Sequence, residues 1–485
     1  MSFTDLRTFL DRLDECGDLK RIDGAHWDLE IGTLTEMTIE RPGHPALLFD
    51  NIPGHPRGHR VLSNSISTIP RTAIALGLPE DTPGLDVLRH WRIKMGTFQP
   101  VPPAIVREGP VLENVRRGAD VDLWRFPSPR WHENDGGRFL GTGCAVILRD
   151  PDTGNVNVGT YRMMVQDENT LGIMIIPGKD GDLLVRKYHA QGKSAPVAVT
   201  FGHDPALFMA AGTFLPPSHS ELEFAGWLKG EPIPVIEGER TGLPIPATAE
   251  IAIEGEIPPP ETDQREEGPF GEWTGYYAGD RLPRPVVKIN TLMHRDDPII
   301  YGAPPFRPPL AELSAVPFWA ASAWEALESS GIQDVKGVWQ FGTSSFITVV
   351  AIKQHYAGHA KAAGLITAGS KGAAYCARWI IVVDEDVNIT DLDEVIWAVV
   401  TRARAPDDYE LIRDGYSSGV DPIHSPEVRR TANARELTNN RFIINACRPF
   451  SWKDKFPLVN KASEELRRKV AEKFRDVLED GGRLR

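Results

Sequence analysis

Two glutamates in a short turn have the residue types and spacing for acid/base chemistry. Glu267 and Glu272 lie five positions apart, and the residues between them read Gly-Pro-Phe-Gly. Because glycine and proline disfavour helices and central strands, we expect a rigid turn to hold both carboxylates. When two carboxylates converge with a cation in a closed pocket, one can keep a proton near neutral pH while the other stays ionised. The alternative is a solvated surface turn.

A cation for such a pair is present upstream, in the run Asn155-Val-Asn-Val-Gly-Thr-Tyr-Arg162. The alternation in this run favours a β-strand, in which Asn157 and Arg162 would lie on opposite faces unless a bulge intervenes. A surface arginine is the alternative interpretation of Arg162. A buried glutamate pair nevertheless needs a compensating cation, and a guanidinium binds a carboxylate through two parallel hydrogen bonds.

Other catalytic motifs are incomplete. His355 and His359 have the spacing of zinc ligands on a helix, but no glutamate follows the first histidine. Gly141-Thr-Gly143 lacks the third glycine of a dinucleotide-binding motif. No G-x-S-x-G or P-loop motif occurs, which disfavours a serine hydrolase and a nucleoside triphosphatase.

Composition and charge indicate a soluble, multidomain protein. A chain of 485 residues exceeds the usual size of one hydrophobic core, and its mean hydropathy is −0.27. The net charge of −13 argues against nucleic acid or an anionic membrane as the main partner. The 4 cysteines show no C-x-x-C spacing, which fits a reducing compartment. Without a signal peptide or a long apolar run, we expect a cytoplasmic protein that does not span a membrane.

Changes of pattern along the chain predict an α+β fold in four segments. Proline-rich stretches separate an N-terminal α/β segment (1–110), a strand-rich central domain (111–303) and a C-terminal α/β domain (304–460). The last segment (461–485) contains an amphipathic helix. Short apolar runs between Gly, Pro and Asp clusters predict an antiparallel barrel or sandwich in the central domain.

The same patterns predict individual elements. Predicted strands cover 145–148, 173–176, 197–201, 251–253, 286–289, 346–352 and 379–383. Predicted helices cover 2–13, 221–230 with Ser220 as N-cap, 318–327, 391–403 and 463–478.

Several motifs, taken together and in order, resemble those of the UbiD family of decarboxylases. They are Asn157-Val-Gly-Thr-Tyr-Arg162, Ser220-Glu221 with Phe224-Ala-Gly226, Pro246-Ala-Thr-Ala-Glu250, Glu267-Gly-Pro-Phe-Gly-Glu272, Gly275-Tyr276-Tyr277 and Tyr356-Ala-Gly-His-Ala-Lys361. The resemblance implies a split β-barrel that binds prenylated FMN, flanked by the N-terminal segment and the C-terminal domain. It also implies an enzyme that removes or adds the carboxylate of an unsaturated or aromatic acid.

The resemblance assigns roles to the acidic turn. Arg162, Glu267 and Glu272 match the family's catalytic Glu-Arg-Glu network, in which the arginine engages the substrate carboxylate. By motif order, Glu272 would return the proton after CO₂ leaves, and Glu267 would hold Arg162. Trp273, directly after Glu272, is a candidate wall of the substrate pocket, with packing in the core as the alternative.

The resemblance also implies a cofactor and two metal ions. Asn157 and Glu221 match ligands of a Mn²⁺ (or Mg²⁺) beside the cofactor phosphate, next to a K⁺ site. The third ligand is usually a histidine in the family, whereas Asp180 falls there in this chain, unless the alignment slips by one residue. Carboxylate is a competent ligand for either divalent ion. The residues expected to surround the cofactor are Asn157, Thr160, Tyr161, Arg162, Lys179, Glu221 and Arg378, the last replacing a lysine that reaches the phosphate in the family.

The resulting hypothesis is reversible, non-oxidative decarboxylation of an aromatic or heteroaromatic acid through a covalent adduct with prenylated FMN. Loss of CO₂ from a ring leaves a carbanion without an electron sink, which the cofactor would supply. The motifs favour the branch that acts on ring carboxylates. A flavin prenyltransferase would supply the cofactor, and the protein would form a homodimer or hexamer. The alternatives are an FMN-dependent reductase and a non-catalytic flavin-binding subunit of a larger carboxylase.

Overall fold

A mixed α+β fold appears in the computed structural model, which describes residues 3–213, 215–307, 318–341, 346–431 and 435–475. The described residues form four β-sheets of 4, 10, 3 and 5 strands. In the ten-stranded sheet every pair of neighbouring strands is antiparallel. The predicted α+β class with an antiparallel central sheet is therefore confirmed.

The N-terminal part alternates helices and strands. It contains α1 (Leu6–Glu15), β1 (Leu19–Asp23), α2 (Glu30–Ile39), β2 (Ala46–Asp50), β3 (Arg60–Ser63), α3 (Ile69–Ala75), α4 (Gly84–Gly96), β4 (Ala104–Ile105) and β5 (Asn114–Arg117). Helix α1 starts later than predicted because the carboxylate of Asp5 caps it, accepting a hydrogen bond from the Thr8 amide at 2.9 Å. Its apolar stripe, including Phe9 and Leu13, is buried.

The central part supplies most of the strands. It contains β6 (Phe139–Gly141), β7 (Cys144–Arg149), β8 (Val156–Gly159), β9 (Met163–Asp167), β10 (Thr170–Ile173), α5 (Asp180–His189), β11 (Ala195–Phe201), α6 (Pro205–Ala211), α7 (Glu221–Lys229), β12 (Pro234–Glu237), β13 (Pro244–Pro246), β14 (Ile251–Ile257), β15 (Gln264–Glu267), β16 (Leu282–His294) and β17 (Ile299–Tyr301). The order β6-β9-β10-β16-β14-β11-β7-β8 forms the path of the large sheet, with β5 and β15 paired to β16.

The C-terminal part packs helices on a mixed five-stranded sheet. It contains α8 (Phe318–Ser329), β18 (Val335–Phe341), β19 (Ile347–Ile352), α9 (His359–Gly369), α10 (Lys371–Ala374), β20 (Trp379–Asp384), α11 (Leu392–Arg402), β21 (Tyr409–Tyr416), α12 (Pro426–Thr431), β22 (Thr438–Ala446) and α13 (Glu464–Lys473). The sheet order is β18-β19-β20-β22-β21. Helix α13 confirms the predicted terminal helix as far as Lys473, while Val477 and Leu478 lie outside the described residues.

One predicted strand is wrong. The apolar run 173–176 was expected to form a strand, but β10 ends at Ile173. The amide of Met174 donates instead to the carbonyl of Arg162 at 3.1 Å, and the chain turns at Pro177 and Gly178 toward α5. Met174 and Ile176 line a cavity, so these residues are apolar because of their place in the cavity wall and not because they form a strand.

The sheets connect parts of the chain that are distant in sequence. β17 pairs with β3 of the N-terminal sheet, and β12 pairs with β4. The domain boundaries at 110, 303 and 460 remain a prediction. Across the ranges given above, no helix combines the length and the apolar character needed to cross a membrane.

We expect Asp391→Ala to destabilise α11. The Asp391 carboxylate accepts hydrogen bonds from the amides of Asp393 at 2.9 Å and Glu394 at 3.3 Å, and loss of such an N-cap costs about 1 kcal/mol. Hydrogen exchange of the 392–402 amides should become faster, and the urea midpoint of unfolding should fall. Asp407→Ala, the same charge change at an exposed loop position, is the control. Equal exchange rates in the two variants would contradict the prediction.

Candidate active site

One guanidinium joins the two glutamates of the acidic turn. Arg162 donates from Nε and one terminal nitrogen to the two oxygens of Glu267, at 2.8 and 3.0 Å. Its other terminal nitrogen donates to Oε1 of Glu272 at 2.5 Å. The three side chains are 13%, 0% and 15% exposed, respectively. The structure therefore brings together the residues predicted to form the Glu-Arg-Glu network.

The end of a strand directs Glu267 inward. Glu267 is the last residue of β15 and lies opposite Leu282 of β16. Gly268 follows with a φ of +85°, in the left-handed region that favours glycine. Gly172 of β10 leaves space for the glutamate, since a Cβ atom there would lie 3.3 Å from Glu267 Cγ. The absence of a side chain at Gly172 of β10 thus makes room for the Glu267 side chain.

A break between two strands places Arg162. Strand β8 ends at Gly159 and β9 begins at Met163, so Arg162 lies in the connection. The strand predicted over 155–162 is shorter than expected, since β8 covers only Val156–Gly159. Asn157 and Arg162 line the same cavity because the strand ends between them, and no bulge is needed. The ring of Phe270 covers the guanidinium, with its centroid 5.3 Å from Cζ.

Electrostatics favour a protonated Glu272 beside a charged arginine. Burial raises the pKa of Glu272, Arg162 lowers it and the charge of Glu267 raises it again, and the net pKa lies above the ordinary value of 4.5. Burial lowers the pKa of Arg162, but Glu272 and Glu267 outweigh that effect and raise it overall. The pair thus combines a permanent cation with a carboxyl group whose pKa is raised by burial, which is the direction that a proton donor needs.

A second arginine beside this network was missed in the sequence. Arg284 of β16 pairs across the ladder with Arg265, and Arg265 and Glu267 lie on one face of β15. Burial lowers the pKa of Arg284, while the charges of Glu267 and Glu272 raise it. Its Nε is buried without a hydrogen-bond partner among the described residues. Only the register of the hairpin brings Arg284 close to Glu267, and no motif specifies that register.

A second polar cluster lies at the start of α7. Glu221 is the first residue of the helix, which Ser220 caps as predicted. Its carboxylate accepts hydrogen bonds from the amide of Val158 at 2.6 Å and from Nδ2 of Asn157 at 3.2 Å. Burial, with a smaller contribution from the nearby charge of Asp180, raises the pKa of Glu221 to about 8, although the hydrogen bonds from Val158 and Asn157 lower it. Glu221, Asn157 and Asp180 all line the cavity.

This cluster has the oxygen donors of a cation site. Oδ1 of Asn157 is buried and accepts no hydrogen bond within the described ranges. An unpaired amide oxygen beside two carboxylates fits a hard divalent ion. In the part of the chain that the structure describes, no group of three or more His, Cys, Asp or Glu residues has the arrangement of a metal site.

A cavity of about 270 Å³ joins the two clusters. Among the predicted site residues, its walls contain Asn157, Thr160, Tyr161, Arg162, Lys179, Asp180, Glu221 and Glu272. Lys179 precedes Asp180 at the start of α5, and burial lowers its pKa. The hydroxyl of Tyr161 accepts a hydrogen bond from the Gly181 amide at 3.1 Å. Glu272 and the cluster of Asn157, Asp180 and Glu221 therefore line the same cavity.

Three predicted residues lie outside the cavity walls that the described residues form, namely Glu267, Arg378 and Trp273, although Glu267 is bonded to Arg162, which lines the cavity. Both oxygens of Asp421 accept hydrogen bonds from one guanidinium nitrogen of Arg378, at 2.7 Å each. The ring of Trp273 lies 5.3 Å from that of Phe346 and 5.9 Å from that of Tyr375, between centroids. The structure thus places Arg378 in an ion pair and Trp273 in an aromatic contact with the C-terminal part.

Family models match nearly the whole chain. The model of the 3-octaprenyl-4-hydroxybenzoate carboxy-lyase (UbiD) Rift-related domain matches residues 104–308. The models of the N-terminal and C-terminal domains of the same carboxy-lyase match residues 10–91 and 317–446. All three matches come from one family and follow the order of its domains.

Curated relatives and solved structures agree with these models. A phenolic acid decarboxylase of Bacillus subtilis is 32% identical over 88% of this chain and 90% of its own length. A pyrrole-2-carboxylic acid decarboxylase of Pseudomonas aeruginosa is 32% identical over 84% and 85%. The vanillic acid decarboxylase of Sedimentibacter hydroxybenzoicus in its open form superposes with a TM-score of 0.84 at 26% identity, covering 99% of this chain and 100% of that one. The UbiD-class enzyme HmfF of Pelotomaculum thermopropionicum, in complex with FMN, gives 0.82 at 27% identity, covering 95% and 98%.

We expect Glu272→Gln to remove a pH-dependent loss of stability. A carboxyl group whose pKa is raised by folding costs no stability below its unfolded pKa and lowers stability as the pH rises above it. Compared with the wild type, the variant should therefore gain stability between pH 4.5, the ordinary value, and neutral pH. Thermal unfolding at several pH values measures the difference. Glu266→Gln, the same change at an exposed position, is the control, and parallel pH profiles for all three proteins would contradict the prediction.

Proposed function

The chain belongs to the UbiD family, and we propose that it catalyses the reversible, non-oxidative decarboxylation of an aromatic or heteroaromatic acid with prenylated FMN. The observation that carries the proposal is the buried Arg162, which is bound to Glu267 and Glu272 at the wall of one cavity. The relatives named for phenolic acids and pyrrole-2-carboxylic acid support a ring carboxylate as substrate.

In this proposal the three residues have separate tasks. Arg162 keeps its paired hydrogen bonds to Glu267 and turns its remaining N–H groups toward the substrate carboxylate. The bond between the ring carbon and the carboxylate breaks and CO₂ leaves. Glu272, protonated, gives its proton to that ring carbon and recovers a proton from solvent. Overall, ArCOO⁻ and H⁺ become ArH and CO₂, and the reverse sequence is carboxylation.

The cavity residues would hold the cofactor. Prenylated FMN supplies the electron sink that a bare ring lacks when CO₂ leaves. HmfF binds FMN, and an evolved dimeric form of it binds prFMN, which supports a flavin in the corresponding cavity. Thr160, Tyr161 and Lys179 would contact the flavin and its phosphate. Arg378 reaches the phosphate only if it exchanges its bond with Asp421.

Asn157, Asp180 and Glu221 would hold Mn²⁺ or Mg²⁺ beside the phosphate, with K⁺ nearby. Such a metal would neutralise phosphate charge and help to hold the flavin, and it would take no part in the proton step. Trp273, next to Glu272, would contact the substrate ring only if its side chain turns from Phe346 and Tyr375 toward the cavity. A flavin prenyltransferase would supply the cofactor to a cytoplasmic dimer or hexamer.

We expect Glu272→Gln to abolish CO₂ release. A general acid contributes roughly 10²- to 10⁴-fold, so kcat should fall at least a hundredfold, while KM for the acid changes little. The holoprotein is prepared by co-expression with a flavin prenyltransferase, and CO₂ release is screened over a panel of aromatic acids. Glu266→Gln is the control because it makes the same change one residue before Glu267 on an exposed side chain.

The same experiment separates the alternatives. An FMN-dependent reductase would contain unmodified FMN and would keep its turnover in the Glu272→Gln variant. A non-catalytic flavin-binding subunit would bind the cofactor without releasing CO₂ from any acid. Bound flavin is identified by its mass and absorption spectrum. Unmodified FMN together with no decarboxylation would refute the proposed function.

We expect Asp180→Asn to weaken metal binding. The substitution removes the charge of one of the two carboxylates that line the same cavity as the unpaired oxygen of Asn157, so the affinity for Mn²⁺ should fall roughly 10- to 100-fold. Electron paramagnetic resonance of added Mn²⁺ measures free and bound ion without an activity assay. Asp182→Asn, on the same helix but bonded to Arg186 and the Gly178 amide, should bind as the wild type does. Equal affinities of the two variants would exclude Asp180 as a ligand.

A further inference from the structure

The turn that carries Glu272 is attached on both sides to one buried carboxylate, that of Asp135. Its Oδ1 accepts a hydrogen bond from the hydroxyl of Tyr277 at 3.0 Å and a longer one from the Gly271 amide at 3.4 Å. Its Oδ2 accepts from the amide of His132 at 3.0 Å and lies 3.4 Å from the ring Nδ1 of the same residue. The Asp135 side chain is 0% exposed. These contacts hold the residues immediately before and after the loop 272–276.

The loop itself is closed by its own backbone. The Glu272 amide donates to the carbonyl of Tyr276 at 3.0 Å, and the Gly275 amide donates to the carbonyl of Glu272 at 2.8 Å. Glu272 is thus the first residue of a small loop that its own backbone hydrogen bonds close. Asp135 binds the residues on both sides of this loop, Gly271 and Tyr277. A shift of the Asp135 carboxylate would move the whole loop as one unit.

The residue after Asp135 fixes the other half of the acidic turn. The Gly136 amide donates to the carbonyl of Pro269 at 2.8 Å. A Cβ atom on Gly136 would lie 1.8 Å from the carbonyl oxygen of Gly268, so only glycine permits this approach. The segment 135–136 therefore contacts the turn next to Glu267 and next to Glu272, and it sets the spacing of the two glutamates.

We propose that Asp135 is a positioning residue for the proton donor, acting through Gly271 and Tyr277 to hold Glu272 at the cavity wall. The inference rests on the proposed decarboxylation. Asp135 is not among the cavity-lining residues that the structure describes and exchanges no proton with substrate. Its effect arises because a misplacement of about 1 Å of a reacting group costs on the order of a hundredfold in rate.

Tyr277→Phe tests the proposal, with Tyr276→Phe as the matched control. The first variant removes one hydrogen bond to Asp135, whereas the second removes the hydroxyl of an exposed ring in the same loop. Per bound flavin, we expect kcat of Tyr277→Phe to fall about tenfold or more, with KM within about threefold, since the lost bond acts on the transition state. Tyr276→Phe should match the wild type.

The solvent deuterium isotope effect on kcat separates positioning from a merely structural role. If proton delivery becomes slower, the isotope effect rises in Tyr277→Phe, whereas a smaller fraction of folded enzyme leaves the effect unchanged. Asp135→Asn should show the larger change of the same kind, and if it does not fold, Tyr277→Phe decides the question.

The outcomes distinguish this inference from the proposed function. An active wild type with equal kcat and isotope effect in the two tyrosine variants would overturn the role of Asp135 and leave the decarboxylase intact. A lower melting temperature of Tyr277→Phe with unchanged kcat per flavin and isotope effect would also overturn it. A wild-type holoprotein that releases no CO₂ from any acid would refute the proposed function, and this inference with it.

Discussion

The burial of one positive charge, that of Arg162, constrains the rest of the site. Removing a guanidinium from water costs several kcal/mol unless carboxylates and hydrogen bonds compensate. Glu267 compensates it with two parallel bonds, and the contact with Glu272 adds a second acid to an already neutral pair. When Glu272 is also ionised, two carboxylates share the charge of Arg162, and burial together with the charge of Glu267 raises the pKa of Glu272. Arg284, close enough to interact with both glutamates, supplies a second positive charge that acts in the opposite direction.

This charge arrangement depends on backbone elements that are far apart in sequence. Arg162 lies between β8 and β9, Glu267 ends β15, and β10 lies between β9 and β16 in the sheet. The Glu267 side chain packs against β10 at Gly172, where no side chain takes up the space. A rigid antiparallel sheet holds such groups more accurately than a set of loops would. The geometry of the network therefore depends on the sheet register, which places Glu267, and on the contacts of Asp135 and Gly136, which hold the acidic turn.

The residue types and family motifs identified the central residues of the site, whereas local hydrophobic patterns predicted one strand wrongly. The Gly/Pro turn and the family motifs led to Arg162, Glu267 and Glu272, which the structure joins directly. The apolar run 173–176 was assigned to a strand because periodicity does not distinguish a strand from a cavity wall. Asp135 and Arg284 were missed for a different reason. Asp135 contacts Gly271 and Tyr277, which lie 136 and 142 positions away in the chain, and Arg284 lies opposite Arg265 in the β15–β16 ladder. Such contacts follow from register and packing, which one sequence does not specify.

The position of Asp180 in the fold suits an acidic side chain. Asp180 is the first residue of α5, where the partial positive charge of the helix N-terminus stabilises an anionic side chain. The next residue, Gly181, brings its amide to the hydroxyl of Tyr161, and a Cβ atom there would lie 2.7 Å from that hydroxyl. Tyr161 adjoins Arg162, so the start of α5 and Arg162 are linked through one short segment. The helix N-terminus thus offsets part of the negative charge at position 180, and the link connects the cluster of Asn157, Asp180 and Glu221 to the network of Arg162 and Glu272.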